Sequence, residues 1–162
     1  MHIALAADHA GYEMKRDLAA ALRAQGHDVL DLGTHSSAPV DYPDCAEAVA
    51  TALRDRRVAR GVIVCGSGAG VSIAANKFPG VRAAVCHDCY TARQAVEHDD
   101  MNVLCLGARV IGPALAGDLV AVFLAAQFSG EERHRRRLDK ILAIEDRFAN
   151  HEVHEGRERH EA

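Results

Sequence analysis

The chain has 162 residues, of which 49% are hydrophobic, and a formal net charge of −4 at pH 7. That length is most simply one domain with a substantial core, and the negative balance argues against general nucleic-acid binding. No apolar run is long enough to span a bilayer, and no signal-peptide pattern precedes the first strand-like segment, so a cytoplasmic protein with no membrane partner is expected. The five cysteines, Cys45, Cys65, Cys86, Cys89 and Cys105, are an odd number in a chain without an export signal and read as reduced thiols.

Apolar strands alternate with helical stretches along the chain, which predicts a Rossmann-like three-layer α/β/α sandwich built on a five-stranded parallel sheet. The first strand is expected at Ile3 to Ala7. Met14, Leu18 and Leu22 then recur every fourth residue on one helical stripe, and Gly26 is a plausible stop. Strands follow at Val29 to Leu32, Gly61 to Cys65, Arg82 to Cys86 and Val103 to Leu106. Helices are expected at Pro43 to Arg56, Val71 to Lys77 and Tyr90 to His98. A further helix begins at Gly112-Pro113, with proline in its first turn, and runs to about Gln127. The last, Glu131 to Arg147, is charged on one side, with Leu138, Ile141, Leu142 and Ile144 forming an apolar stripe. Residues 149–162 are polar and rich in His, Glu and Arg, as expected of a flexible tail behind a domain spanning 1–148, and His151, His154 and His160 read as inert.

The most informative segment is Gly61 to Lys77, an apolar strand that runs into Cys65-Gly66-Ser67-Gly68-Ala69-Gly70 and then a helix. A loop of small residues at a helix N-terminus presents several N–H groups to an anion or a thiolate. A Walker A loop would need Lys-Ser/Thr after Gly70, and a phosphatase loop would need arginine at the position of Val71. A dinucleotide fingerprint would place its last glycine at Val71; Asp88 keeps that reading open. Cys86-His87-Asp88-Cys89 has CxxC spacing, but no second ligand pair follows, and core thiols are the better reading than metal ligands.

Ligands of such sheets gather at the carboxyl ends of the strands. That rule selects Asp8-His9 after the first strand, Cys65 to Gly70 after the third, and Gly107-Ala108-Arg109 after the fifth. His98 precedes the fifth strand and should lie at the opposite edge, so a catalytic His98 would have to act on a neighbouring subunit.

Ala7-Asp8-His9-Ala10-Gly11 with Lys15, Asp41-Tyr42-Pro43, the Cys65 to Gly70 loop with Ile73-Ala74-Ala75-Asn76-Lys77, Asn102-Val103-Leu104 and Gly107-Ala108-Arg109 together resemble the type B ribose-5-phosphate isomerases and their galactose-6-phosphate isomerase relatives. The resemblance covers roughly residues 1 to 148, in order. It implies a cofactor-free and metal-free aldose–ketose isomerase of the pentose phosphate pathway, converting ribose 5-phosphate to ribulose 5-phosphate through a cis-enediolate. It also implies a homodimer or dimer of dimers with a shared active site, the C-terminal helix extending to a partner subunit.

By the same resemblance Cys65 is the base, and the N–H groups of Gly66, Ser67, Gly68, Ala69 and Gly70 form the anion hole. His98 is the ring-opening acid, supplied by the partner. Asp8, His9 and Tyr42 hold the sugar, and Arg109, Arg133 and Arg137 clamp the phosphate. Some members use a glutamate just after the last loop glycine; Val71 removes that alternative here. Asp99 stands where many members have asparagine, which replaces a donor with a negative charge and puts substrate preference or rate in question.

Taken singly, these residues have plainer readings: Cys65 as a small core residue, His9 as a loop cap, Tyr42 as packing in a turn, His98 and the arginines as solvated surface. Their joint match carries the assignment. The alternatives are an isomerase of a six-carbon sugar phosphate, allose or galactose 6-phosphate, and a non-catalytic nucleotide- or sugar-phosphate-binding module.

Overall fold

The computed structural model of the chain describes residues 1–149. They fall into two compact units, one from Met1 to Phe128 and a second that begins at Ser129. In the first unit, strands β1 (His2–Ala7), β2 (Asp28–Gly33), β3 (Arg60–Cys65), β4 (Ala83–Val85) and β5 (Val103–Gly107) alternate with helices α1 (Tyr12–Ala24), α2 (Tyr42–Arg54), α3 (Ala69–Ala75), α4 (Cys89–Asp99) and α5 (Pro113–Ala125). All strands pair in parallel, in the order β2-β1-β3-β5-β4. The expected Rossmann-like sandwich is therefore present.

Side chains alternate between the two faces of the sheet, and both faces are covered, as a parallel sheet requires. Ile3, Leu5, Val62, Val64, Leu104 and Leu106 pack under α1, α4 and α5, where Met14, Leu18, Val96 and Phe123 meet them. Ala4, Ala6, Ile63, Cys65 and Cys105 face α2 and α3 through Cys45, Val49, Val71 and Ala75. Small residues let α2 approach closely: a Cβ at Gly61 would lie 2.4 Å from Val49 Cγ1.

Local chemistry sets the ends of the elements. Gly26 adopts φ +84°, its N–H bonds Arg23 O and the His27 N–H bonds Leu22 O, closing α1 in a left-handed cap. Asp88 Oδ1 accepts the Thr91 N–H at 2.7 Å and caps α4, so the CxxC segment is a strand end followed by a helix cap. Two expected boundaries need correction. Helix α3 spans Ala69–Ala75 rather than Val71 to Lys77, because left-handed Gly68 turns the chain into the helix at once and Asn76 ends it. Strand β4 is Ala83–Val85, shorter than Arg82 to Cys86. The Asn76 carboxamide exchanges bonds with Ala83, accepting from its N–H at 2.9 Å and donating to its O at 2.8 Å. It thereby imitates a neighbouring strand on an edge strand of the sheet.

The second unit carries α6 (Glu132–Ala149). His134 is buried, with Nδ1 2.6 Å from Ser129 Oγ, while Ile141, Leu142, Ile144 and Phe148 are exposed. The expected tail lies outside the described residues from Asn150 onward. Among the described residues no helix is long and apolar enough to cross a membrane.

Lys15, on the first turns of α1, is 1% exposed. Its three ammonium protons go to Asp31 Oδ1 at 2.5 Å, Leu32 O at 3.2 Å and Thr34 O at 2.7 Å. It thus ties α1 to the end of β2 and to the start of the connection leading to α2. A buried cation with all donors satisfied is costly to truncate, because its partners remain behind desolvated. Lys15→Met is expected to destabilise the protein by roughly 3–5 kcal/mol, read as a fall in the urea midpoint at matched protein concentration with m unchanged. A loss within about 1 kcal/mol, the worth of an ordinary surface pair, would refute this role.

Candidate active site

The strand order reverses between β1 and β3: the chain leaves β1 toward α1 on one face and leaves β3 toward α3 on the other. Such a switch point opens a crevice at the carboxyl ends of the two strands. Asp8 follows β1 there and is buried. Its Oδ1 accepts the N–H groups of Ala10 at 2.9 Å and Gly11 at 3.1 Å, and its own N–H bonds Val64 O of β3. Asp8 therefore shapes the turn into α1 as well as bringing a carboxylate to the crevice. Gly11 is required for that turn, since a Cβ on it would meet Val64 O at 2.5 Å.

Cys65 ends β3 and is 4% exposed. Its Sγ accepts the Gly68 N–H at 3.1 Å, made possible by the left-handed Gly68, φ +82°. That contact fixes the direction of the sulfur at the mouth of the loop. The loop is anchored to β5: Ala108 N–H bonds Cys65 O at 2.8 Å and Arg109 N–H bonds Gly66 O at 3.0 Å. The Arg109 side chain then lies over the loop, with Cδ and Nη1 3.7 Å from where a Gly66 Cβ would stand. Ser67 is exposed, and its Oγ accepts the Ala69 N–H at 3.3 Å.

The connection between β2 and α2 closes on the same crevice. His9 Nδ1 accepts the Val40 N–H at 3.3 Å, which puts the proton of the neutral ring on Nε2. Tyr42 opens α2 with its ring against Gly70; a Cβ there would be 2.9 Å from the ring. One edge thus assembles a thiol, a carboxylate, an imidazole, a phenol, a guanidinium and a loop of small residues, and these are Cys65, Asp8, His9, Tyr42, Arg109 and Gly66 to Gly70.

His98 and Asp99 are not brought to this edge. They end α4, which leads into the amino end of β5, whereas Cys65 pairs with Gly107 at its carboxyl end. The length of β5 separates the two edges by roughly 15 Å. The α4–β5 turn is firmly held: Asp100 is left-handed at φ +52°, Arg82 Nη2 bonds its carboxylate at 2.5 Å, and Arg82 Nε bonds its carbonyl at 2.6 Å. Arg133 and Arg137 are exposed on α6 within the second unit, about one turn apart, and Arg133 Nε bonds Glu131 Oε2 at 2.8 Å.

Three of the other thiols, Cys45, Cys86 and Cys105, are held in the protonated form by their surroundings. Burial pushes Cys86 up to about 11. It also pushes Cys105 up strongly, and raises Cys45, where the nearby Asp8 charge adds to the effect. Cys45 donates its S–H to Ala7 O at 3.1 Å instead. Sequence reasoning overlooked His87, whose Nε2 accepts the Gly107 N–H at 3.0 Å at this same edge. The signal was available, because His87 directly follows a predicted strand, as Asp8 and Cys65's loop do. It also missed the burial of Lys15, for which an isolated lysine offers no sign.

A model of the Ribose/Galactose Isomerase family matches residues 3–141. The chain is 46% identical over 145 residues to ribose-5-phosphate isomerase B of Escherichia coli K12, covering 90% of this chain and 97% of that protein. It is 37% identical over 147 residues to ribose-5-P isomerase B of Listeria innocua, covering 91% and 99%. Among solved structures, ribose-5-phosphate isomerase B of Clostridium thermocellum superposes with a TM-score of 0.89 at 48% identity, covering 91% of this chain and 99% of that one. Ribose-5-phosphate isomerase B of Mycoplasma genitalium with bound ribulose-5-phosphate gives a TM-score of 0.84 at 39% identity, covering 90% and 96%. The chain belongs to the ribose/galactose isomerase family and is an isomerase.

Proposed function

We propose that this isomerase interconverts ribose 5-phosphate and ribulose 5-phosphate, with Cys65 as the base. The observation that carries the reading is the Gly68 N–H aimed at Cys65 Sγ at the switch-point crevice, beside a loop that can receive an oxyanion. The thiolate takes the C2 proton of the open-chain aldose, leaving a cis-enediolate, and returns it to C1 while the O2 hydroxyl proton passes to O1, giving the ketose. The N–H groups of Gly66, Ser67, Gly68, Ala69 and Gly70 stabilise the developing charge. Asp8, His9 and Tyr42 hold the hydroxyls, and Arg109, with Arg133 and Arg137, binds the phosphate through charge-assisted hydrogen bonds.

His98 opens the furanose ring in this reading, donating to the ring oxygen. Since His98 lies at the edge away from Cys65 in its own chain, it serves the site of a second copy, and Asp99 beside it faces that copy's substrate. The exposed apolar residues of α6 support a dimer or dimer of dimers in which that helix crosses to a partner. The reaction moves a proton between adjacent carbons, which a base and an anion hole accomplish without metal or cofactor. The reading places the enzyme in the cytoplasm, and the net charge of −4 weighs against its engaging nucleic acid or an anionic membrane surface. In this reading residues 1–148 form the isomerase domain and 149–162 a polar tail.

Cys65→Ala should lower kcat on ribose 5-phosphate by about 10³-fold or more while the circular dichroism spectrum and substrate binding persist. Retention of a tenth of the activity would remove Cys65 from the role of base, and equal turnover of allose or galactose 6-phosphate would overturn the five-carbon preference. Arg109→Ala should raise KM for ribose 5-phosphate by about 10- to 100-fold with a smaller effect on kcat. An unchanged KM would take Arg109 out of the phosphate clamp. Mixing inactive Cys65→Ala and His98→Ala subunits should restore part of the activity, because one hybrid site regains both groups. No recovery after verified subunit exchange would sink the shared site.

A further inference from the structure

We propose that His87 is a positioning residue for the active site, acting through the Gly107 N–H on the turn that fixes both Arg109 and the Cys65 loop. Strand β4 is short. Its last ladder residue, Val85, pairs with Cys105, so β5 runs two residues beyond its neighbour. The Gly107 N–H on that overhang would lack a ladder acceptor, and His87 Nε2 supplies one at 3.0 Å.

Gly107 is the residue on which the edge converges. Its O accepts the N–H groups of Val110 at 2.9 Å and Ile111 at 3.1 Å, forming the turn. The next two N–H groups in that turn, from Ala108 and Arg109, hold the carbonyls of Cys65 and Gly66. On its other side Gly107 touches the Ser67 backbone so closely that a Cβ would lie 2.7 Å from it. Movement of Gly107 therefore displaces the thiol-bearing loop and the arginine together. Bonds from β3 restrain the turn on one flank, and on the other the acceptor is the His87 ring.

An imidazole accepts at Nε2 only when neutral with its proton on Nδ1. The role requires an acceptor at the reach of Nε2, and that requirement separates it from simple space filling. Glutamine carries an oxygen at about that reach, whereas leucine fills the space without an acceptor and asparagine ends too short.

The kinetic arm of the test rests on the isomerase reading, and the exchange arm does not. His87→Leu is expected to lower kcat on ribose 5-phosphate by about 10- to 100-fold, and to speed hydrogen exchange at the Ala108 and Arg109 amides by at least about tenfold. His87→Gln should stay within about threefold of the parent in both. A folded His87→Leu protein with parental kcat and exchange would overturn the inference, as would a His87→Gln protein as impaired as His87→Leu. If His87→Leu does not fold, His87→Asn provides the same contrast with His87→Gln. If the parent turns over no sugar phosphate, the isomerase reading fails, and exchange at Ala108 and Arg109 still decides the role of His87.

Discussion

The active-site edge depends on the contact between the ends of β3 and β5, where Gly107 touches the backbone of Ser67. A side chain at Gly107 would occupy the space of the loop after Cys65. Without one, the loop can lie flat on the end of β5, and three consequences follow. The carbonyls of Cys65 and Gly66 come within reach of the Ala108 and Arg109 N–H groups. Gly68 takes its left-handed turn above Leu106 and Gly107 and aims its N–H at sulfur. Arg109 emerges over Gly66. Thiol, glycine loop and guanidinium are thus placed by one backbone contact, so their mutual geometry is set by the fold itself.

The remaining side chains reach the edge through connections that are tied from below. Lys15 holds the end of β2 and the carbonyl of Thr34, and the Thr34 N–H in turn bonds Ala7 O. Farther along, His9 takes the Val40 N–H, and two residues later Tyr42 lays its ring on Gly70. The connection between β2 and α2 has no regular structure of its own, so these few bonds decide where the phenol stands. A group that positions a substrate can cost two orders of magnitude in rate when displaced by about 1 Å, and Tyr42 is such a group under the proposed function. That gives a physical reason to place a fully bonded lysine in the core at all.

Most of the architecture was legible because it rests on periodicity. Ile3 to Ala7, Gly61 to Cys65 and Val103 to Leu106 are continuous apolar runs, which only a sheet covered on both faces accommodates, and Met14, Leu18 and Leu22 mark their helix by spacing alone. That Asp8, Cys65 and Arg109 share one edge was legible as well, since the rule that carboxyl strand ends gather together needs only strand ends. Interactions across the chain were not. Lys15 looks like any surface lysine until β2 is folded beside it, and nothing near Asn76 signals that its amide will imitate a strand. His87 was obscured by the CxxC reading of its flanks, although Cys86 is core and Asp88 is a helix cap. The start of α3 was misjudged because a left-handed Gly68 begins the helix inside what reads as loop.

The same topology that collects one set of groups also separates another. In a parallel sheet every helix returns the chain to the amino edge, so a residue at the end of α4 is carried away from the carboxyl edge by the length of a strand. The turn after His98 is nevertheless firmly fastened: Arg82 grips both the carboxylate and the carbonyl of Asp100, and Asn102 accepts the Arg82 N–H at 2.8 Å. These bonds close the end of α4 and so fix where His98 stands at the amino edge. A substrate held by Cys65 of the same chain lies a strand's length from that edge, so under the proposed function a second chain has to bring one there. Ring opening and proton transfer would then be divided between two chains, each holding its own group rigidly, and assembly would set the distance between them.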